Sequence, residues 1–251
     1  MFARREGILA RASDVQINPA MKYYVLKNST GDDIGNVTGI QIKGRSFDYP
    51  YNDQSSYQHL SNLTPARITP NFDYLIVEPK AIMTDFISCT GIIHATGFIV
   101  SEKSKKLLEQ FKLMPHHFYP VRLLHKTKFY DYHWLHLEHD YINDIDYNKS
   151  AFITKKPSPW NIPNWDEEKT SVNIRSIENM ISVRKENAGI RTIEPSFLHL
   201  ANPLVRDLNL FAFSSFGDDN VIISEKLKDA IDEFHLSGTE IIALQYPVSF
   251  A

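Results

Sequence analysis

Residues 97–115 read GFIVSEKSKKLLEQFKLMP and pass from strand to helix within a few positions. Phe98, Ile99 and Val100 form an apolar run suited to a buried strand. Ser101 follows as a helix N-cap, because its hydroxyl can accept from a backbone N–H that has no intrahelical partner, and Glu102 sets negative charge against the positive end of the helix. Leu107, Leu108 and Phe111 then share one helical face, and Pro115 marks the stop. The next run, HFYPVRLL at 117–124, returns as a strand.

The same pattern recurs at an offset of 123 residues, where NVIISEKLKDAIDEFHLSG at 220–238 leads into TEIIALQY at 239–246. Without a gap, the windows 98–123 and 221–246 are identical at seven positions: Ile99 and Ile222, Ser101 and Ser224, Glu102 and Glu225, Lys103 and Lys226, Lys105 and Lys228, Phe111 and Phe234, and Leu113 and Leu236. Val100 and Ile223, Leu108 and Ile231, and Glu109 and Asp232 are conservative pairs, and Pro115 stands opposite Gly238, two helix breakers at one place. Chance supplies about one or two identities in such a window, which favours duplication. Convergence is the competing reading, since any strand-cap-helix-strand unit selects an apolar run, then Ser, then Glu, then an apolar stripe.

A chain of 251 residues with 43% hydrophobic and 23% charged residues can bury a core without metals or disulfides. Cys89 is the only cysteine, so neither an internal bridge nor a CxxC zinc pair can form, which points to a reducing compartment and hence the cytoplasm. Apolar runs such as 74–77 and 208–213 fall far short of the roughly 20 residues that span a bilayer. Residues 1–20 read as an N-terminal extension whose Glu6, Arg11 and Asp14 interrupt any secretory core, and Met21 is a plausible natural start. A net charge of -3 argues against general nucleic-acid affinity, which needs a basic face to displace counterions. No cofactor is implied by any motif.

Between the repeats, KYYVLKN at 22–28 reads as a first strand and residues 37–42 as a second, forming a hairpin across the turn signals at 29–33. Residues 45–70 read as loop with one helical turn near 55–60. KTKFYDYHWLHLEHD at 126–140 pairs back on the preceding strand as a hairpin with two mixed faces, Tyr130, Tyr132, Trp134, His136 and Glu138 on one, Asp131, His133, Leu135, Leu137 and His139 on the other. Residues 176–186 read as a helix burying Ile177, Ile181 and Met180. The expected class is α+β: mixed sheets built around two related β-α-β units, with hairpins and long loops. The halves are 21–149, holding repeat unit 85–123, and 150–251, holding repeat unit 207–246, packed together as one domain.

Few residues invite chemistry. His133, His136 and His139, with His116, His117 and His125 near in sequence, suggest a metal, but alternation along a strand turns His136 away from the other two. Cys89 lacks any local nucleophile signature, and in both SEK tripeptides Ser and Lys stand two apart, where acylating serines need a full helical turn. No glycine-rich phosphate loop exists. No catalytic, cofactor or metal residue is therefore assigned. Trp160 and Trp165, followed by Asp166, Glu167 and Glu168, flank a proline-rich stretch and form the expected partner-binding group: aromatic anchors with a charged rim. The competing reading is that both tryptophans pack this excursion onto the domain.

The string VIISEKLKDAIDEFHLSGTEIIAL at 221–244, preceded by RDLNLFAF at 206–213, resembles the C-terminal core of immunity proteins from bacterial polymorphic toxin systems. Members show an aspartate-led apolar strand, a strand ending in a V-S-E-like sequence, a helix, a Gly break and a closing strand. Asp207 to Phe213, Ile222 to Glu225, Leu227 to Phe234 and Gly238 fill those places; Asp85, Phe86 and 98–111 do so less closely, with Pro115 for the glycine. The resemblance implies a non-catalytic cytoplasmic protein that binds and occludes a cognate, co-encoded toxin. An enzyme using the histidine-rich hairpin and a ligand-binding or scaffold protein are the alternatives from other classes.

Overall fold

The structure is a computed structural model and describes every residue except 1–20, 36, 38, 47, 90, 156–168, 187–191 and 215–220. In chain order the elements are β1 (Tyr23–Asn28), β2 (Ile42–Arg45), β3 (Leu75–Val77), β4 (Phe86–Ile87), β5 (Gly97–Val100), α1 (Glu102–Leu108), β6 (His116–His125), β7 (Lys128–Leu137), β8 (Ala151–Lys155), β9 (Lys169–Val172), α2 (Ile177–Glu186), β10 (Thr192–Leu200), β11 (Leu210–Ala212), β12 (Val221–Ser224), α3 (Glu225–Glu233), β13 (Thr239–Ala243) and β14 (Val248–Phe250). The architecture is α+β. Among the described residues the strands form three sheets, ordered β2-β3-β6-β7-β5-β4, β11-β12-β1-β13 and β14-β10-β8-β9. No helix among them is long and apolar enough to cross a membrane.

The two repeats become two split β-α-β units of matching topology. β5 and β6 both run antiparallel to β7, which lies between them, and β12 and β13 both run antiparallel to β1, which lies between those. Each unit carries one further antiparallel strand on its outer side, β4 beside β5 and β11 beside β12. Register is kept across the offset: Ile99, Trp134 and Tyr119 stand in one row, and Ile222, Val25 and Ile242 in the equivalent row. The helix caps match as well. Ser101 at φ -66, ψ 164 accepts from the Ser104 N–H at 3.2 Å, and Ser224 at φ -72, ψ 157 accepts from the Leu227 N–H at 3.3 Å.

One residue before each outer strand ties cap to sheet and unit to unit. The Ser101 hydroxyl donates to Asp85 Oδ1 at 2.7 Å and its N–H to the Asp85 carbonyl at 2.8 Å. In the second unit Asn209 Nδ2 donates to Ser224 Oγ at 2.9 Å, and the Ser224 N–H donates to the Asn209 carbonyl at 3.0 Å. The remaining oxygen of each side chain reaches into the other unit: Asp85 Oδ2 accepts from the Ser237 N–H at 3.1 Å, and Asn209 Oδ1 from the Lys112 N–H at 3.2 Å. Backbone bonds run alongside, from Phe86 N–H to the Ser237 carbonyl and from Met114 N–H to the Leu210 carbonyl, both 2.9 Å. Each post-helix turn thus caps the outer strand of the other copy, so the repeats meet as an intramolecular pseudo-dimer. The partner of Asp85 in this arrangement is Asn209, not Asp207, which lies in the 3-10 turn Pro203–Asp207 before β11.

A shared core follows from that contact. α1 packs Leu107 and Leu108 on the side of the first sheet carrying Phe98, Val100, Leu135 and Leu137, and the same apolar cluster takes in Leu227 and Ile231 of α3 and Phe211, Ile222 and Ile223 of the second sheet. The β14-β10-β8-β9 sheet, backed by α2, adds Phe152, Met180, Ile193 and Leu198.

Several sequence expectations change. β1 pairs with β12 and β13 and makes no hairpin with the chain after it; the second strand starts at Ile42 and belongs to another sheet, because the slot beside β1 is filled by the second repeat. A boundary at 149/150 therefore does not divide the sheets. In α2 Met180 is buried while Ile181 is 45% exposed, since the helix rests on β10 by its Met180 side. The β6–β7 hairpin forms across Lys126, at φ 58; Lys128 to Asp131 of β7 stay largely exposed, while from Tyr132 on its central place in the sheet buries Tyr132, Trp134 and His136 on one face and Leu135 and Leu137 on the other.

Pro115 and Gly238 do not end their helices, which stop at Leu108 and Glu233. Their carbonyls accept from the central strand's continuation, Pro115 from the Glu138 N–H at 2.8 Å and Gly238 from the Ser29 N–H at 2.9 Å. Gly238 sits at φ +81 where an added Cβ would lie 2.2 Å from the Phe86 carbonyl oxygen. The left-handed backbone alone costs an alanine about 1–3 kcal/mol, and the backbone clash adds to it. Gly238→Ala is expected to lower stability by at least about 2 kcal/mol in denaturant unfolding, whereas Gly44→Ala, with open space around it, stays within about 0.5 kcal/mol.

Candidate binding surface

The face of the first sheet opposite α1 is covered by the excursion between β2 and β3. Ile99, Tyr119, Val121, Leu123, Tyr132 and Trp134 form the floor, and Tyr49, Tyr57 and Phe72 the cover. Tyr57 stacks on Phe72 at 5.2 Å with an interplanar angle of 6°, and Phe72 meets Trp134 and Tyr119 at 6.1 and 6.5 Å, so a column of rings runs from core to surface. The reading of 45–70 as loop with a helical turn holds in outline, the turn being Tyr57–His59 behind the Ser56 cap. It is not a free loop.

Polar clamps fix its descending limb. Buried His136 uses Nε2 to donate to the Thr64 carbonyl at 2.7 Å, leaving Nδ1 buried without a partner. Asn62 Oδ1 accepts from both the N–H, at 2.8 Å, and the hydroxyl of Thr96, and Leu63, at φ 51 and 3% exposed, plugs the core. Asn71 N–H donates to the Ser55 carbonyl at 2.7 Å and closes the base.

On the ascending limb the Arg45 guanidinium lies 5.4 Å from the Tyr49 ring, 5.5 Å from Tyr51 and 5.4 Å from Tyr57. It donates from Nε to the Tyr57 hydroxyl and from Nη2 to the Ile92 carbonyl at 3.2 Å. Burial holds the Tyr57 hydroxyl well above the usual phenol range, so it stays protonated beside that cation. Tyr51 and Ile68 project outward at 51% and 47% exposure. Beside Ile68 opens a cavity of about 790 Å³ whose lining includes Ser56, His59, Ser61, Thr64, Arg67 and Ile68. The surface is thus aromatic, arginine-bearing and held rigid, a combination that lowers the ordering cost of association. Three tyrosines within nine residues, 49, 51 and 57, were the available sequence signal.

The histidines of the β6–β7 hairpin do not gather into a ligand set: His117 and His136 are cross-strand neighbours, and the others meet separate partners. His133 Nε2 lies 2.8 Å from Glu102 and pulls that carboxyl below its usual range, joining β7 to α1; His139 meets Asp144 at 3.4 Å, and His125 approaches the Pro79 carbonyl at 3.3 Å. No three His, Cys, Asp or Glu among the described residues are grouped to hold a metal. Cys89 is buried, and desolvation pushes its thiol up to about 12, leaving it protonated. Trp160, Trp165, Asp166, Glu167 and Glu168 lie outside the described residues. Searches against protein-family models and against curated proteins find no match to this chain.

Burial lowers the His136 pKa, so the folded state keeps the ring neutral while the unfolded chain takes up a proton near the ordinary value of about 6.5. The unfolded state then binds more protons below that value, and stability falls as pH drops. Denaturant unfolding between about pH 7 and pH 5 is expected to show this loss, approaching about 1.4 kcal/mol per pH unit from this group, and His136→Gln, whose amide can still donate to Thr64, is expected to flatten the slope. Equal slopes in the two proteins would contradict it.

Proposed function

We propose that this protein is a cytoplasmic, non-catalytic immunity protein that binds a co-encoded bacterial toxin and occludes it. The observation that carries the reading is the clamped excursion between β2 and β3, a surface built on one repeat only, with Tyr51, Arg45 and Ile68 at its outer side and a cavity alongside. Tyrosine and arginine are the residues that concentrate binding energy in protein interfaces, above all where they are fixed before the partner arrives. The resemblance of residues 206–244 to the immunity-protein core supports the same direction, and the elements named in that pattern occur here as β11, β12, α3 and β13. Occlusion needs only surface complementarity over about 800 Å² per partner, with no chemistry from the inhibitor.

The reading is tested in cells and in solution. Expression of this chain is expected to protect cells from the toxin encoded beside it, and the two purified proteins to associate. Tyr51→Ala is expected to weaken association by about 2 kcal/mol, roughly thirtyfold, while its loss of stability stays within about 1 kcal/mol, since Tyr51 is 51% exposed and its fold contacts are those to Tyr49 and Arg45. Absence of both protection and association overturns the proposal.

A further inference from the structure

We infer that the cavity on the excursion receives a carboxylate-bearing segment of the partner protein, with Arg67 as its charged anchor; this rests on the binding reading above. At about 790 Å³ the cavity has the size of a cleft that encloses a ligand group rather than a surface dimple. Among the described residues its lining contains no Asp or Glu. It contains Arg67 and His59, the hydroxyls of Ser56, Ser61 and Thr64, and apolar Leu60, Ile68 and Pro70. In a chain with 30 acidic against 27 basic residues, a concavity lacking carboxylates departs from the surrounding field.

The acid nearest in sequence does not fill the role. Asp53 turns its Oδ1 onto Ser55, accepting from the N–H and the hydroxyl at 2.7 Å each, and those bonds hold it below the usual carboxylate range. Arg67 is exposed and forms no ion pair among the described residues, in contrast to Arg45, whose donors are spent on Tyr57 and Ile92. An exposed guanidinium lining the same cavity as the hydroxyls of Ser61 and Thr64 can take a carboxylate through two parallel N–H bonds, with those hydroxyls as further donors. The limb leading to it is tied down just before Arg67, where the Asn62 side chain accepts from Thr96 and the Thr64 carbonyl from His136. Exposed Ile68, with Leu60 and Pro70 in the same lining, extends the contact beyond a single charge, which a protein segment uses and a small anion does not. A nucleic acid is disfavoured by the net charge of -3.

The test uses the full chain, the purified neighbouring toxin and inorganic phosphate as a free-anion probe. Arg67→Glu is expected to weaken toxin association at least about tenfold, with the loss shrinking as salt rises, while Arg67→Lys loses less and both variants melt like the parent. Toxin binding that Arg67→Glu leaves unchanged would overturn the inference and leave the binding reading standing. Failure of the parent protein to bind the toxin at all overturns that reading instead. Phosphate binding that depends on Arg67, with toxin affinity unaffected, identifies a small-anion site and also overturns the inference.

Discussion

Asp85 and Asn209 hold the two halves of the molecule to each other and each half to its own helix. Each side chain has two polar atoms, and each spends one on the cap serine of its own unit and the other on a backbone N–H of the opposite unit. The chemistry differs while the geometry is kept. A carboxylate can only accept, so Ser101 donates to Asp85; an amide can donate, so Ser224 accepts from Asn209. A serine hydroxyl serves both cases and still caps the helix. That versatility explains why Ser is identical in the repeats while the residue facing it is not.

The reciprocal contact shapes the rest of the fold. In the first unit the strand that fills the gap between the parallel pair is β7, supplied by a tight hairpin from β6. In the second unit that strand is β1, supplied from the other end of the chain, so the second unit cannot form until residues about 200 positions apart have met. With the units joined at their outer strands, α1 and α3 feed one core, and the free face of the first sheet is left for a cover of its own. The excursion between β2 and β3 supplies it. Scaffold and binding surface are thereby separated: the repeated residues build the frame, and residues present once carry the proposed contact.

Much of this frame was legible in the sequence because local physics encodes it. The Ser-Glu cap, the apolar stripe and the apolar run before them mark strand and helix at both sites, and the structure keeps the gapless offset as matching registers. Partner choice was not legible. Nothing local in KYYVLKN says that β1 pairs with residues beyond 220, and turn residues after it favoured a hairpin with the adjacent run, which the second repeat displaces. Gly238 invited a helix-stop reading because glycine does that work often; here the requirement is close approach to Phe86, a tertiary fact. The excursion looked unstructured since its order comes from His136, Thr96 and Trp134, residues far along the chain, and not from any period of its own. The aromatic and acidic group at 160–168 lies outside the described residues.

The central claim, that Asp85 is the counterpart of Asn209 and makes the same two bonds, beside a further one from the Ser237 hydroxyl at 3.1 Å and an ion pair with Lys103 at 3.9 Å, is tested most directly by comparing Asp85→Asn with Asp85→Ala in denaturant unfolding. An asparagine can donate to Ser101 and accept from Ser237 as Asn209 does in its own unit. The account predicts that Asp85→Asn stays within about 1 kcal/mol of the parent, while Asp85→Ala, which forfeits the bonds to Ser101 and Ser237, loses about 2–3 kcal/mol. Equal losses in the two variants, or none in Asp85→Ala, would contradict it.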